Sequence, residues 1–210
     1  AKMMLREYAE IDFPAGPSEI GIIADDSTNP AFIAADVLAQ AEHDPNAACV
    51  LVTDSVALAA AVGEEIAVQI SASPRRDIME KALSHSGYVI AEDLDNAVSL
   101  MNHIAPEHLS IQTTDPLTTL SGIRHAGSIF IGPYTPVACG DYASGTNHVL
   151  PTACYAKSYS ALDVNHFMKR SQVQIFTRDG LEALGYVIET LATAEGHAAH
   201  ANSVRIRRRT

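Results

Sequence analysis

The chain has 210 residues, 47% of them hydrophobic and 19% charged, with a formal net charge of −11. That balance excludes a disordered chain and makes one large domain, or one domain with an appendage, the expected organisation. It argues against nucleic acid as a partner, and no apolar run approaches the ~20 residues needed to cross a bilayer.

The opening "AKMMLREYAEIDF" carries acidic residues and no long apolar core, so it does not read as a signal peptide. In chain order, "EIGIIA" (19–24) predicts a strand. A helix follows over 29–43, with Asn29 as its N-cap and Pro30 at the first helical position, where a missing N–H costs nothing. "ACVLVT" (48–53) is a second strand, then a helix opens at Asp54-Ser55 and another helical pattern starts after Pro74. "GYVIAED" (87–93) predicts a third strand and "LDNAVSLMNHIA" (94–105) a helix. "LSIQTT" (109–114), "LTTLSGIRHA" (117–126) and "GSIFIG" (127–132) continue the alternation. Short strands separated by helices imply right-handed crossovers and a mostly parallel sheet.

After Gly132 the pattern gives way to a loop of roughly twenty residues, a length that is usually functional or disordered. Apolar periodicity resumes over 160–170 and 173–177, and a last helix is expected from Gly180 to about Asn202, with a strip of Leu181, Leu184, Ile188 and Leu191. The expected fold is α/β: a mostly parallel sheet with flanking helices, an incomplete Rossmann-like arrangement, plus a C-terminal helical arm. Its segments are an α/β domain over 1–160, a short connection over 161–173 and the arm over 174–210.

Several groups could carry chemistry. Gln40 and His43 share a face near a helix end, which suits two metal ligands or, more simply, a histidine at the negative end of a helix dipole. Glu107 and His108 could form a base and its partner, yet they stand at the amino end of a strand, opposite to where open α/β sheets bind ligands. In "CGDYASGTNHVLP" (139–151), Asp141 and His148 are donors, and Gly140 and Gly145 permit close backbone approach; local turn bonding is the alternative. His197 and His200 lie three apart on the last helix, a spacing for a metal, while Glu195 is poorly placed to share a face with His200. The three cysteines, Cys49, Cys139 and Cys154, are odd in number and widely spaced, which suggests packing thiols in a reducing cytoplasm. "RIRRR" (205–209) is either a contact for phosphate or acidic surface, or a solvated terminus and neutraliser of the acidic body. The sequence contains no G-x-G-x-x-G, G-x-x-x-x-G-K-[ST], H-E-x-x-H or G-x-S-x-G.

Taken in order, "PAGPSE" (14–19), "QAEHDP" (40–45), "APEHLSI" (105–111), "AGSIFIGPYTP" (126–136), "GDYASGTNHVLPT" (140–152), "FMKR" (167–170) and "AEGHAAHANSVRIR" (194–207) resemble the histidinol dehydrogenase family. The resemblance covers nearly the whole chain and about the C-terminal half of the family's length. It implies a zinc ion on Gln40, His43, Asp141 and His200, and a proton-moving pair of Glu107 and His108. It implies substrate contacts at Ser18, Gln40, His43, His108, Asp141, His148, Glu195 and His200. The implied reaction is oxidation of L-histidinol to L-histidine through an aldehyde, with two hydrides passed to NAD, whose site falls mostly outside this chain. The alternative is a shortened relative that binds zinc and a small amine without hydride transfer. The resemblance also implies a homodimer whose C-terminal arms are exchanged, so that Glu195 and His200 serve the partner's site. It selects His200 but not His197. Three departures from the family's usual residues are Gly21, expected to weaken the first strand by up to ~1 kcal/mol, Val137 where Glu is common, and Cys154 where glycine is usual.

Overall fold

Five short apolar runs form one parallel sheet in the order β3-β2-β1-β4-β5. The strands are β1 (Glu19–Ala24), β2 (Ala48–Thr53), β3 (Gly87–Ile90), β4 (His108–Gln112) and β5 (Ser128–Ile131). The structure, a computed structural model, describes residues 2–209. The chain divides into two compact units, Ala1–Phe167 and Met168–Thr210.

In the first unit the helices are α1 (Lys2–Leu5), α2 (Pro30–Ala41), α3 (Val56–Ile70), α4 (Arg76–Leu83), α5 (Leu94–Ile104), α6 (Pro116–Ser121) and α7 (Ala138–Tyr142). Consecutive strands are joined through one or two of them, as a parallel sheet requires. The chain starts in the middle of the sheet at β1, winds outward to β3, then crosses back to β4 and β5. The winding direction therefore reverses between β1 and β4, whose register pairs Ile20 with His108 and Ala24 with Gln112.

Period-two alternation sends the side chains of β1 to two cores. Ile20, Ile22 and Ala24 pack with Ile33 and Val37 of α2, Leu58 and Val62 of α3, and Phe130. Ile23 turns to the opposite face, with Met101 of α5, Leu109 and Ile111. Both faces are covered, which is why β1 and β2 read as near-continuous apolar runs, whereas β4 alternates and buries His108, Ser110 and Gln112. The helix starts are set by local chemistry: the Asn29 side chain accepts from the Ala31 N–H at 3.0 Å, Ser55 from Leu58 at 3.2 Å, and Asp93 from Asn96 at 2.7 Å.

Four expectations change. Gly21 does not leave the first strand weak: a Cβ there would stand 2.4 Å from Met101 Sδ and 3.0 Å from Pro106 Cγ, so the missing side chain is the space Met101 fills. The loop after Gly132 is not structureless, because Ala138–Tyr142 form α7. The apolar pattern over 160–177 yields only the 3-10 turn Val164–Phe167, held by Asp163 and His166, whose ring nitrogen lies 3.0 Å from the carboxylate. Val173 and Ile175 are largely exposed, so that segment has no buried face to make it a strand.

In the second unit, the expected single helix is two, α8 (Arg178–Ala194) and α9 (Ala198–Arg208). Gly196 takes a left-handed φ of 79°, the His197 N–H reaches the Ala192 carbonyl at 2.7 Å, and the Gly196 N–H reaches Thr193 at 3.0 Å. This is a Schellman stop, which only glycine enters without strain. The basic tail has partners within the unit. Arg205 pairs with Glu189 at 3.1 Å, and Arg208 with Glu189 at 2.9 Å and Glu182 at 3.2 Å. That favours the neutralising role of the tail over an open phosphate contact.

Candidate active site

Several polar residues converge on a cavity of about 330 Å3 in the first unit: Ser18, Gln40, His43, Glu107, His108, Asp141, Tyr142 and His148. The fold explains the convergence. Ser18 immediately precedes β1, and Glu107 and His108 lead into the neighbouring β4. A crossover helix runs against its strands, so the carboxyl end of α2 returns Gln40, and His43 just beyond it, to the same edge. α7 carries Asp141, and the following loop carries His148. The cavity therefore lies at the amino ends of the strands. The carboxyl-end crevice at the winding reversal holds Ser27, Thr28, Asn29, Phe32 and Gln112 and none of these groups.

Glu107 and His108 are both buried, with 6% of each exposed. Glu107 Oε2 accepts the Glu19 N–H at 2.9 Å and lies 3.4 Å from His108 Nδ1. His108 Nδ1 is also 3.1 Å from the Glu19 carbonyl oxygen. That carbonyl can only accept, so Nδ1 carries the proton and a neutral ring presents its lone pair at Nε2. Burial alone would push the His108 pKa down; the hydrogen bond and charge of Glu107, with the Glu19 carbonyl and Asp141, outweigh it and hold the value above 6.5. One face of the site is a stack. The His108 and Phe130 ring centroids are 5.9 Å apart, and Gly140 sits so close to Phe130 that a Cβ would come within 2.7 Å of Cζ. Glycine is required there by close approach, and it brings α7 and Asp141 down toward His108.

The loop's return is clamped beside β1. The Gly16 N–H donates to Thr152 Oγ1 at 2.6 Å, and the Ala153 N–H donates to Glu19 Oε1 at 2.9 Å. Burial, reinforced by the charge of Glu107, raises the Glu19 pKa despite the Ala153 bond. Ala153 and Cys154 take left-handed φ values of 53° and 63°. This gives a physical reason why glycine suits position 154. Glu19 is a site residue that the sequence reading missed, and Tyr142 is a polar group of the loop that it left without a role. Glu19 reads as a strand residue, and only its neighbours across the sheet show its part; Tyr142 adjoins Asp141 in the same motif and could have been given one from that.

Among the described residues, no three His, Cys, Asp and Glu side chains stand together as a ready metal cluster. Beside the Glu107–His108 pair, the cavity offers imidazoles from His43 and His148, a carboxylate from Asp141 and an amide from Gln40. The amide nitrogen of Gln40 is buried without a hydrogen-bond partner. That nitrogen is an N–H donor, so its unspent capacity suits an acceptor such as a substrate oxygen, and only the amide oxygen could face a cation. Nitrogen and oxygen donors around an open position fit zinc. Glu195 and His200 belong to the second unit, where both are exposed. There Glu195 caps α8 and lies 3.3 Å from His197 Nδ1, and the rings of His197 and His200 are 5.2 Å apart.

A family model described as histidinol dehydrogenase matches residues 1–208. The chain belongs to the histidinol dehydrogenase family. It is 53% identical over 207 residues to a histidinol dehydrogenase of Methanosarcina mazei, covering 99% of this chain and 48% of that protein. It is 50% identical over 210 residues to one of Methanothermobacter thermautotrophicus, covering 49% of it. The crystal structure of histidinol dehydrogenase from Elizabethkingia anophelis superposes with a TM-score of 0.96 at 36% identity, covering 98% of this chain and 48% of that one. The chain thus spans about half the length of the histidinol dehydrogenases it matches. The α/β fold with a parallel sheet, expected from the sequence, is the fold shared with that neighbour.

Proposed function

We propose that this chain supplies the zinc- and histidinol-binding half of an enzyme that oxidises L-histidinol to L-histidine with NAD, the last step of histidine biosynthesis. The observation that carries the reading is the single cavity that gathers Ser18, Gln40, His43, Glu107, His108, Asp141 and His148 in a chain of this family. Gln40, His43 and Asp141 are the zinc ligands from this copy. Zinc, when bound, holds the imidazole and amine of histidinol and so fixes the carbinol carbon. Ser18 and His148 line the remaining wall and contact the substrate.

The chain's own residues move the protons. His108 Nε2 takes the alcohol proton as the first hydride leaves the carbinol carbon for NAD, giving the aldehyde. Glu107 then takes a proton from the water that adds to the aldehyde. The hydrate gives a second hydride to a second NAD and releases its two hydroxyl protons to solvent, giving the carboxylate. The Glu19 carbonyl on Nδ1 keeps the base lone pair on Nε2. Deprotonated His108 is the working form, so turnover should fall as pH drops through its raised pKa.

His200 completes the zinc set, and Glu195 adds a substrate contact, from the exchanged arm of a second copy in a cytoplasmic homodimer. Their exposure within the second unit supports a role in trans. NAD binds mainly on the half of the relatives that this chain does not span. Binding and oxidation are therefore separable. The chain alone should take up zinc and histidinol, and NADH should form when it is joined to the amino-terminal half of the Methanosarcina mazei relative. Absence of NADH from a folded, zinc-loaded joined protein overturns the oxidation reading and leaves an amine-binding relative.

A further inference from the structure

Asp36 is a buried carboxylate with no assigned part in the site. It lies on the inner face of α2 with 6% of its surface exposed. Its two oxygens are used by different elements. Oδ2 accepts from Gln112 Nε2 at 3.2 Å, and Oδ1 from the Val137 backbone N–H at 3.4 Å. Gln112 ends β4, and Val137 directly precedes α7. One carboxylate therefore ties together three elements, each of which delivers a group to the cavity. In each, the tie stands about one helical turn or two strand repeats from that group: Asp36 before Gln40, Val137 before Asp141, and Gln112 after His108.

The arrangement is expensive for stability alone. Among the described residues no lysine or arginine pairs with Asp36, and burial, opposed by the Val137 N–H and the Gln112 amide, pushes its pKa up to about 6. Gln112 turns its amide nitrogen to Asp36 and to Ser110 Oγ at 3.1 Å, which leaves its own Oε1 buried without a partner. Apolar side chains of similar volume commonly replace such buried ionic groups at no loss of stability. What they cannot replace is directional bonding to two separate segments.

We propose that Asp36 is a positioning residue that holds α2, β4 and α7 in the register that brings Gln40, His43, His108 and Asp141 together around the metal and substrate. The inference rests on the proposed zinc and histidinol site. It acts through those residues; Asp36 itself does not line the cavity.

The test measures zinc affinity by competition with a chromophoric chelator, alongside thermal unfolding, for the intact chain and three variants. Asp36→Asn keeps an oxygen for the Val137 N–H and offers an NH2 to Gln112 Oε1, so it should bind zinc within about threefold of the parent. Asp36→Leu removes both bonds and should lose about tenfold to a hundredfold, the range typical for partners of metal ligands. Val137→Pro deletes the N–H and exchanges one buried apolar side chain for another, at a φ of −56° that proline tolerates, and decides the matter if Asp36→Leu does not fold. It should weaken zinc binding more than it lowers the unfolding temperature. Parent-like affinity in folded Asp36→Leu or Val137→Pro overturns the inference alone, as does an Asn variant as defective as the Leu one. A parent chain that binds no zinc overturns the proposed function and this inference with it.

Discussion

Gly140→Ala is the smallest change that reaches the site through packing. A Cβ at 140 would lie 2.7 Å from Phe130 Cζ and 2.9 Å from Cε1. Carbon pairs are at their best near 3.5–4.0 Å, so something must give by about 1 Å. Phe130 is buried and backed by the His108 ring, 5.9 Å away between centroids. If α7 lifts, Asp141 leaves Gln40 and His43; if Phe130 yields, it presses on His108. Overpacking of this kind costs about 1–3 kcal/mol, and a displacement near 1 Å at a site costs up to about a hundredfold in function. Urea unfolding at unchanged m-value should show the stability loss, and chelator competition should show zinc affinity at least about tenfold weaker. Parent-like stability together with parent-like zinc binding would refute the stacked arrangement of Gly140, Phe130 and His108.

Four further outcomes are expected. Gly63→Ala, in the middle of α3 with nothing within 4 Å of the new Cβ, should stabilise the fold by about 0.5–1 kcal/mol in the same urea assay; a loss would show that the helix is not as described. Ser55→Ala should cost about 1 kcal/mol by removing the oxygen that accepts the Leu58 N–H, and a neutral result would count against that cap. In the zinc-free chain, NMR titration of His108 should have its midpoint above 6.5. A histidine raised in this way stabilises the fold fully below 6.5, and that contribution fades as pH rises through the folded value. Glu107→Gln should move the midpoint down, because burial is then less opposed; an unchanged or higher midpoint would contradict the pairing of the two side chains.

Much of the scaffold is visible in the sequence because its signals are local. Asn29-Pro30 marks the start of α2, and the runs around Ile22 and Leu51 are apolar enough to be strands covered on both faces. What fails is what depends on distant neighbours. Gly21 reads as a weak point until Met101 is seen in its space. Glu19 reads as an ordinary strand residue until its backbone meets Glu107 and His108 from β4, 88 and 89 positions away. The amino-end position of Glu107 and His108 argues against a site by the usual rule for α/β sheets, yet α2 and α7 bring polar groups to that same edge. The helix break at Gly196 is local and readable: a glycine after an apolar stretch is a common stop. The Schellman bonds show why it is one here. The proposed roles of Glu195 and His200 come from the family resemblance, since their spacing carries no such signal.

The central claim is that zinc sits at the amino ends of β1 and β4, on Gln40, His43 and Asp141. Zinc-edge anomalous diffraction from crystals of the zinc-loaded chain tests it most directly. The account predicts one strong peak in this cavity, about 2.0–2.2 Å from a His43 ring nitrogen and from oxygens of Asp141 and Gln40. A peak elsewhere with this cavity empty, or full-occupancy zinc retained by a His43→Ala, Asp141→Ala double variant, would contradict it.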